Sequence, residues 1–183
     1  YGTERSPSKL RRSTFEELYT NSKLLINSLG ELKASVDLGD YYYCEQQVRM
    51  ALLWKDLHGV ENKSITTSIK KFSTMSREDM EKLSETVDLR YLLGVMNSKY
   101  ASVLLTNNRG GDYHITPEHI RNIPIPSATP AQQKPIIALV DKILTAKKAN
   151  PQADTSKEEA EIDRLVYALY GLSEDEIKVV EGR

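Results

Sequence analysis

Apolar positions change their period along this chain, and the changes predict its elements. Residues 1–13 are polar and basic with no apolar period and read as a linker or disordered arm. Residues 14–20 suit a short helix. From Lys23 every second position is apolar: Leu24 and Ile26, then, beyond Gly30, Leu32, Ala34 and Val36 between Lys33, Ser35 and Asp37. Such alternation predicts a half-buried hairpin with a polar, partly basic outer face. Gly39 and Asp40 mark the next turn. Residues 41–53 read as one or two further strands, with Val48, Met50 and Leu52 on one face. Residues 55–76 read as a basic loop, and Ser76 caps a short helix through Asp79 that turns Met80 and Leu83 inward.

Beyond Asp88 the period lengthens. Leu89, Leu92, Leu93, Met96, Tyr100, Val103 and Leu104 form one stripe, which predicts a single long helix stopping at Asn107-Asn108-Arg109-Gly110-Gly111. Thr116-Pro117 starts a short helix that must end before Pro124. Thr129-Pro130, with Gln132 at the third helical position, starts a longer one striped by Ile136, Ile137, Val140, Ile143 and Leu144. Pro135 predicts a separate or kinked first turn. Asn150-Pro151 ends this helix. Thr155 or Ser156, boxed by Glu158 or Glu159, caps the next, whose stripe is Ile162, Leu165, Val166 and Leu169 and whose stop is Gly171. Ser173 and Glu176 open a last short helix. The expected fold is α+β: a small antiparallel β unit with packed helices, followed by a C-terminal αα-hairpin. The expected division is a linker over 1–13, an α/β body over 14–128 and the hairpin over 129–183.

Composition narrows the picture. The 183 residues suffice for one large domain or a domain with a helical appendage. The chain opens on Tyr1 without a Met, and we expect a fragment or a processed piece. No apolar run approaches the ~18 residues of a membrane span, and no signal peptide is visible; the single cysteine suits a reducing cytoplasm, which is the expected setting. The lone Cys44 excludes an intrachain disulfide and a multi-cysteine zinc site. The net charge of -1 argues against strong nonspecific nucleic-acid binding by the whole chain. Its distribution is uneven. Residues 151–183 carry four Lys/Arg against nine Asp/Glu, so the preceding body has a net charge of +4.

Catalytic patterns are missing. Gly110-Gly111 follows a helix, the wrong context for a phosphate cradle. There is no Asx-Pro-Pro-aromatic sequence, and Asn150-Pro151 is followed by Gln152. Glu31-Leu32-Lys33 resembles half of a nuclease metal motif but has no Pro-Asp partner. His114 and His119 lie five residues apart without a plausible third ligand, so no metal site is expected.

Three segments resemble a known family. The first is 23–43, with Gly30-Glu31-Leu32-Lys33 at the strand turn and the run Tyr41-Tyr42-Tyr43-Cys44. The second is 89–126, a helix leading to Arg121-Asn122-Ile123-Pro124-Ile125-Pro126. The third is 154–181, containing Ile162-Asp163-Arg164-Leu165-Val166-Tyr167-Ala168-Leu169-Tyr170-Gly171-Leu172. Together they are similar to the C-terminal target-recognition region of Taq-like N6-adenine DNA methyltransferases, including the fused type IIG restriction-modification enzymes. Type I specificity subunits share the Ile-Pro-Ile-Pro brace followed by a long helix. The Leu-Val-Tyr-Ala-Leu-Tyr-Gly-Leu tail favours the methyltransferase group.

The resemblance implies a non-catalytic C-terminal region that recognises double-stranded DNA in a bacterial or archaeal enzyme. A methyltransferase domain would precede it, S-adenosylmethionine would belong to that domain, and DNA would lie between the two. Base contacts would then come from Asn107, Asn108 and Arg109 on the Gly-flexed loop and from Gln46, Gln47 and Arg49 at a strand start. Phosphate contacts would come from Lys33, Lys63, Lys70, Lys71 and Arg121. Each residue also has a plainer reading: a solvated cation, a helix-ending Asn, or, for Arg121, an ion pair. Two alternatives stand beside the first reading, half of a type I-like specificity subunit and a helical interaction module that never touches DNA.

Overall fold

The computed structural model describes residues 16–39, 47–72 and 74–182. Gln46, the run 41–44 and the Lys71 side chain lie outside the described residues. The fold is α+β, as the pattern of periods predicts. Three strands, β1 (Lys23–Asn27), β2 (Ala34–Asp37) and β3 (Val48–Ala51), form an antiparallel sheet in the order β2-β1-β3. Register follows from the alternation: Leu24 lies opposite Val36 and Ala51, and Ile26 opposite Ala34 and Arg49. Leu24 and Ile26 are buried, so the apolar set fixes which face turns to the core.

The helices are α1 (Glu17–Thr20), α2 (Lys63–Phe72), α3 (Arg77–Ser84), α4 (Leu89–Met96), α5 (Lys99–Arg109), α6 (Pro117–Arg121), α7 (Pro130–Ala149), α8 (Ser156–Tyr170) and α9 (Glu174–Val180). α4 is the centre. It packs on β1 and β2 on one side and on α7 and α8 on the other. At Gly94 a Cβ would meet Ile136 Cγ2 at 2.5 Å, so only glycine permits this approach of α4 to α7. Polar links reinforce the contact. The buried Gln133 amide donates to Thr86 O and Ala128 O, both at 2.9 Å, and accepts from Asp88 N at 3.1 Å. Arg90 bridges Asp88 at 2.8 Å and Asp141 at 3.0 Å. One apolar cluster runs from Leu24 and Ile26 through Leu93, Val95 and Met96 to Ile136, Val140, Ile162 and Val166.

Four expectations need correction. The segment 55–76 is not a loop: a 3-10 turn (Trp54–Leu57) precedes α2, which Asn62 opens by accepting from Ser64 N at 2.8 Å. Ile65, Ile69 and Phe72 supply an apolar spacing that the surrounding Lys, Ser and Thr obscure. The stripe from Leu89 to Leu104 belongs to two helices. Asn97 ends α4 and turns its carboxamide to the edge of β2, accepting from Ala34 N at 2.8 Å and donating to Ala34 O at 2.9 Å. Ser98 then caps α5. Leu83 is 60% exposed, because the inward side of α3 is occupied by polar groups. There Ser84 Oγ accepts from Lys55 N at 2.8 Å, and Arg77 reaches Val60 O at 2.8 Å and Glu81 at 2.7 Å. Finally, Pro135 lies inside an unbroken α7, where as the sixth residue it forgoes the bond that an N–H there would make to Ala131 O.

Candidate nucleic-acid interface

The β1–β2 turn gathers much of the candidate chemistry. Asn27 organises it. Its side-chain NH2 donates to Leu29 O and Glu31 O, both at 2.6 Å, and its carbonyl oxygen accepts from Lys33 N at 2.8 Å. This is the self-bonding habit that makes asparagine a turn residue. Gly30, with φ of 78°, supplies the left-handed step. A neighbouring segment buttresses the turn: Gly30 N donates to Tyr113 O at 3.1 Å, Ile115 N donates to Ser28 O at 2.8 Å, and Leu29 bridges to His114. On the other flank Ser28 N donates to Gln47 O at 2.9 Å.

Candidate base readers fall around this turn with unequal freedom. Arg109 Nη1 donates to Gly30 O, and its Nε is buried without a hydrogen-bond partner among the described residues. Its guanidinium is thus turned into the protein to hold the turn. Asn107 is exposed and lines a groove of about 400 Å³ with Glu31, Leu32, Thr106 and Arg109. Asn108 is exposed and makes a long contact to Asn122 O, 3.4 Å. Gln47 is exposed and Arg49 half-buried in β3.

The phosphate candidates divide. Lys33 is exposed beside the turn. Arg121 is exposed at the end of α6, which packs on α5. Lys63 and Lys70 are exposed on α2, which the chain reaches from the other end of the sheet: Ala51 pairs with Leu24, and Asn21 Nδ2 donates to Asp56 O at 2.7 Å. The structure therefore brings Lys33, Gln47, Asn107, Asn108, Arg109 and Arg121 to one region, while Lys63 and Lys70 lie on α2 beyond the other end of the sheet. Sequence reasoning missed Asn27 and Tyr113. An Asn three residues before Gly30 was the available signal for the first; Tyr113 had none.

The proline brace is held by two tyrosines. Pro124 and Pro126 lack N–H groups, yet their carbonyls need donors. Tyr170 Oη donates to Pro124 O, and Tyr91 Oη donates to Pro126 O at 2.8 Å. Burial pushes both phenols up to about 12, which keeps them protonated as donors. Tyr170 also stacks edge-on against Tyr100, ring centres 4.6 Å apart. From α8, Asp163 accepts from Lys99 N at 2.8 Å and so receives the first turn of α5. Desolvation holds the Asp163 carboxyl above the usual range.

The histidines have local partners. His119 completes the cap of α6: Thr116 N donates to His119 Nδ1 and His119 N to Thr116 Oγ1, both at 3.3 Å. His114 Nδ1 lies 3.2 Å from Asp112 Oδ1. Among the described residues no group of three His, Cys, Asp or Glu could hold a metal ion. A cavity of about 570 Å³ opens between β2, α4 and the α7–α8 pair, with Leu93, Val140, Ile143 and Leu144 among its apolar walls and Lys33, Lys99, Glu159 and Asp163 among its polar ones. Its charges are mixed, unlike a phosphate-binding surface. No helix among the described residues is long and apolar enough to cross a membrane. Comparisons with protein-family models, curated proteins and solved structures found no match for this chain.

Proposed function

We propose that this chain recognises a specific sequence in duplex DNA as the non-catalytic specificity region of a Taq-like or type IIG adenine-N6 methyltransferase. The observation that carries the proposal is the mutual contact of the segments behind the resemblance. Tyr170 of the third segment bonds the proline brace of the second, Asp163 of the third receives α5 of the second, and Asn97 of the second pairs with Ala34 of the first. Such coupling is what a rigid reading surface needs, because a base contact requires its side chain to be held near productive geometry.

In this reading the body over 14–128 carries the contacts and the acidic hairpin over 129–183 braces it. Lys33 and Arg121 meet phosphates, and Asn107, Asn108 and Gln47 are near enough to the same turn to reach base edges. A preceding methyltransferase domain would hold S-adenosylmethionine and the opposite side of the DNA, and the parent enzyme would work in a bacterial or archaeal cytoplasm. The test is duplex binding by the full-length protein across a range of salt. A steep fall in affinity with salt, together with site preference, is expected. A slope near zero would remove the proposal and favour a protein-interaction module, for which the mixed-charge cavity is the natural site. A second recognition repeat upstream, in place of a methyltransferase, would instead favour the type I-like reading.

A further inference from the structure

The turn between β1 and β2 has an unusual property: its backbone hydrogen-bonding groups are largely spent. Asn27 N donates to Lys33 O at 3.1 Å, Ser28 N to Gln47 O, Gly30 N to Tyr113 O and Ile115 N to Ser28 O. The Leu29 and Glu31 carbonyls and the Lys33 N–H are taken by Asn27, and the Gly30 carbonyl by Arg109. A ligand therefore meets the turn through side chains. Glu31 and Lys33 are both exposed, and neither side chain makes a hydrogen bond or ion pair among the described residues. Tyr113, 65% exposed, lies against Gly30, where a Cβ would come within 3.1 Å of its Oη. The Glu31 side of the turn opens into the groove shared with Asn107.

We propose that this turn is the specificity element and that Glu31 reads the exocyclic amine of a cytosine in the major groove. The inference rests on the DNA-recognition reading above. A carboxylate that approaches duplex DNA is repelled by the phosphates, so its presence at the tip is useful only where it accepts a hydrogen bond from a base. Cytosine N4 is the donor that suits a Glu or Asp acceptor. Lys33 sits two residues along and offsets the repulsion at a phosphate. Asn27 and Arg109 are positioning residues, because they act by fixing the turn. Arg109, one of the two arginines among the base-contact candidates, is thereby assigned to the scaffold.

The test is selection of preferred sites from duplexes with a randomised core, using the full-length protein as wild type, Glu31→Gln and Lys33→Ala. Thermal melting checks that each is folded. Wild type should enrich a motif containing a C·G pair. Glu31→Gln keeps an acceptor but gains an NH2 donor that suits adenine, so it should lose discrimination between C·G and A·T at that pair by about tenfold while binding unrelated duplexes more tightly. Lys33→Ala should keep the motif and weaken every duplex alike. Enrichment of an unchanged motif by Glu31→Gln would overturn the turn assignment and leave the DNA reading standing. Wild type that enriches nothing, and binds duplex without salt dependence, would overturn both.

Discussion

The two ends of one hairpin use the same charges in opposite ways. At its open end Lys23 is fully buried. Its ammonium lies 2.7 Å from Asp37 and donates to Tyr19 O at 2.9 Å and Asn21 O at 3.1 Å. At its turn end Glu31 and Lys33 stand in solvent. In sequence the two pairs look alike, each a lysine and an acid flanking alternating apolar residues. The first pair is part of the fold and unavailable to a ligand. The second contributes little to the fold and is free to meet one. Burial, which depends on what α1 and the following loop place over Lys23, decides between the roles.

The largest expected effect lies at the buried end. Asp37→Ala strands an ammonium without its counter-charge and should cost about 3–5 kcal/mol in chemical denaturation. Replacing both, Lys23→Met with Asp37→Leu, should recover most of that loss, because it is the uncompensated charge that is costly. A small loss for Asp37→Ala alone would break the contrast between the two ends.

Next comes the scaffold beneath the turn. Asn27→Ala removes three hydrogen bonds at a partly solvated site and should cost about 1–2 kcal/mol, with water replacing part of the loss. Hydrogen exchange should show the Lys33 amide protected in wild type and open in the variant. Equal protection in both would mean that Asn27 does not hold the turn. Tyr170→Phe, which frees the Pro124 carbonyl at an exposed site, should cost about 1 kcal/mol.

How much of this was legible in the sequence depends on how each element is fixed. The hairpin was readable, because alternation and a glycine at the turn are local. So were the starts of α6, α7 and α9, where Thr116, Thr129 and Ser173 act within their own first turn. The break at Asn97 was hidden inside a continuous apolar stripe; only the edge of β2, 63 residues earlier, gives that asparagine its role. Arg109 has the side chain of a base reader, and only its bond to Gly30, 79 residues away, assigns it to the scaffold. Local chemistry can thus be read along the chain, whereas a residue whose partner is remote cannot be assigned until the fold joins them. The brace is intermediate: its prolines announced a rigid segment, but nothing nearby named Tyr91 and Tyr170 as its donors.

Asp163 extends the contrast to a titratable group that is buried like Asp37. Desolvation raises its pKa, and Glu181 and Glu159 push the same way against Lys99. The folded state therefore binds a proton more tightly than the unfolded chain does. The associated stability is full below the ordinary value near 3.8 and is lost as pH rises through the folded value. Asp163→Asn keeps an acceptor for Lys99 N and does not titrate. Its stability relative to wild type should improve as pH rises above the ordinary carboxylate value and level off once the wild-type carboxyl is ionised. A difference independent of pH would show Asp163 to be as well solvated as a surface carboxylate.

The smallest effect belongs to the turn end, and its smallness is the point. Glu31→Gln and Lys33→Ala touch no hydrogen bond or ion pair among the described residues, and both positions are exposed. Their melting midpoints should match wild type to within about 0.5 kcal/mol of stability, at low and at high salt. A cost above about 1 kcal/mol would mean that these charges serve the fold, as Lys23 and Asp37 do. With stability unmoved, any change that the two substitutions cause in duplex selection comes from contact with DNA and not from loss of structure. The same measurement on Arg109→Ala should give the reverse pattern: lower stability, because the Gly30 carbonyl loses its donor, and a general loss of discrimination as the turn loosens.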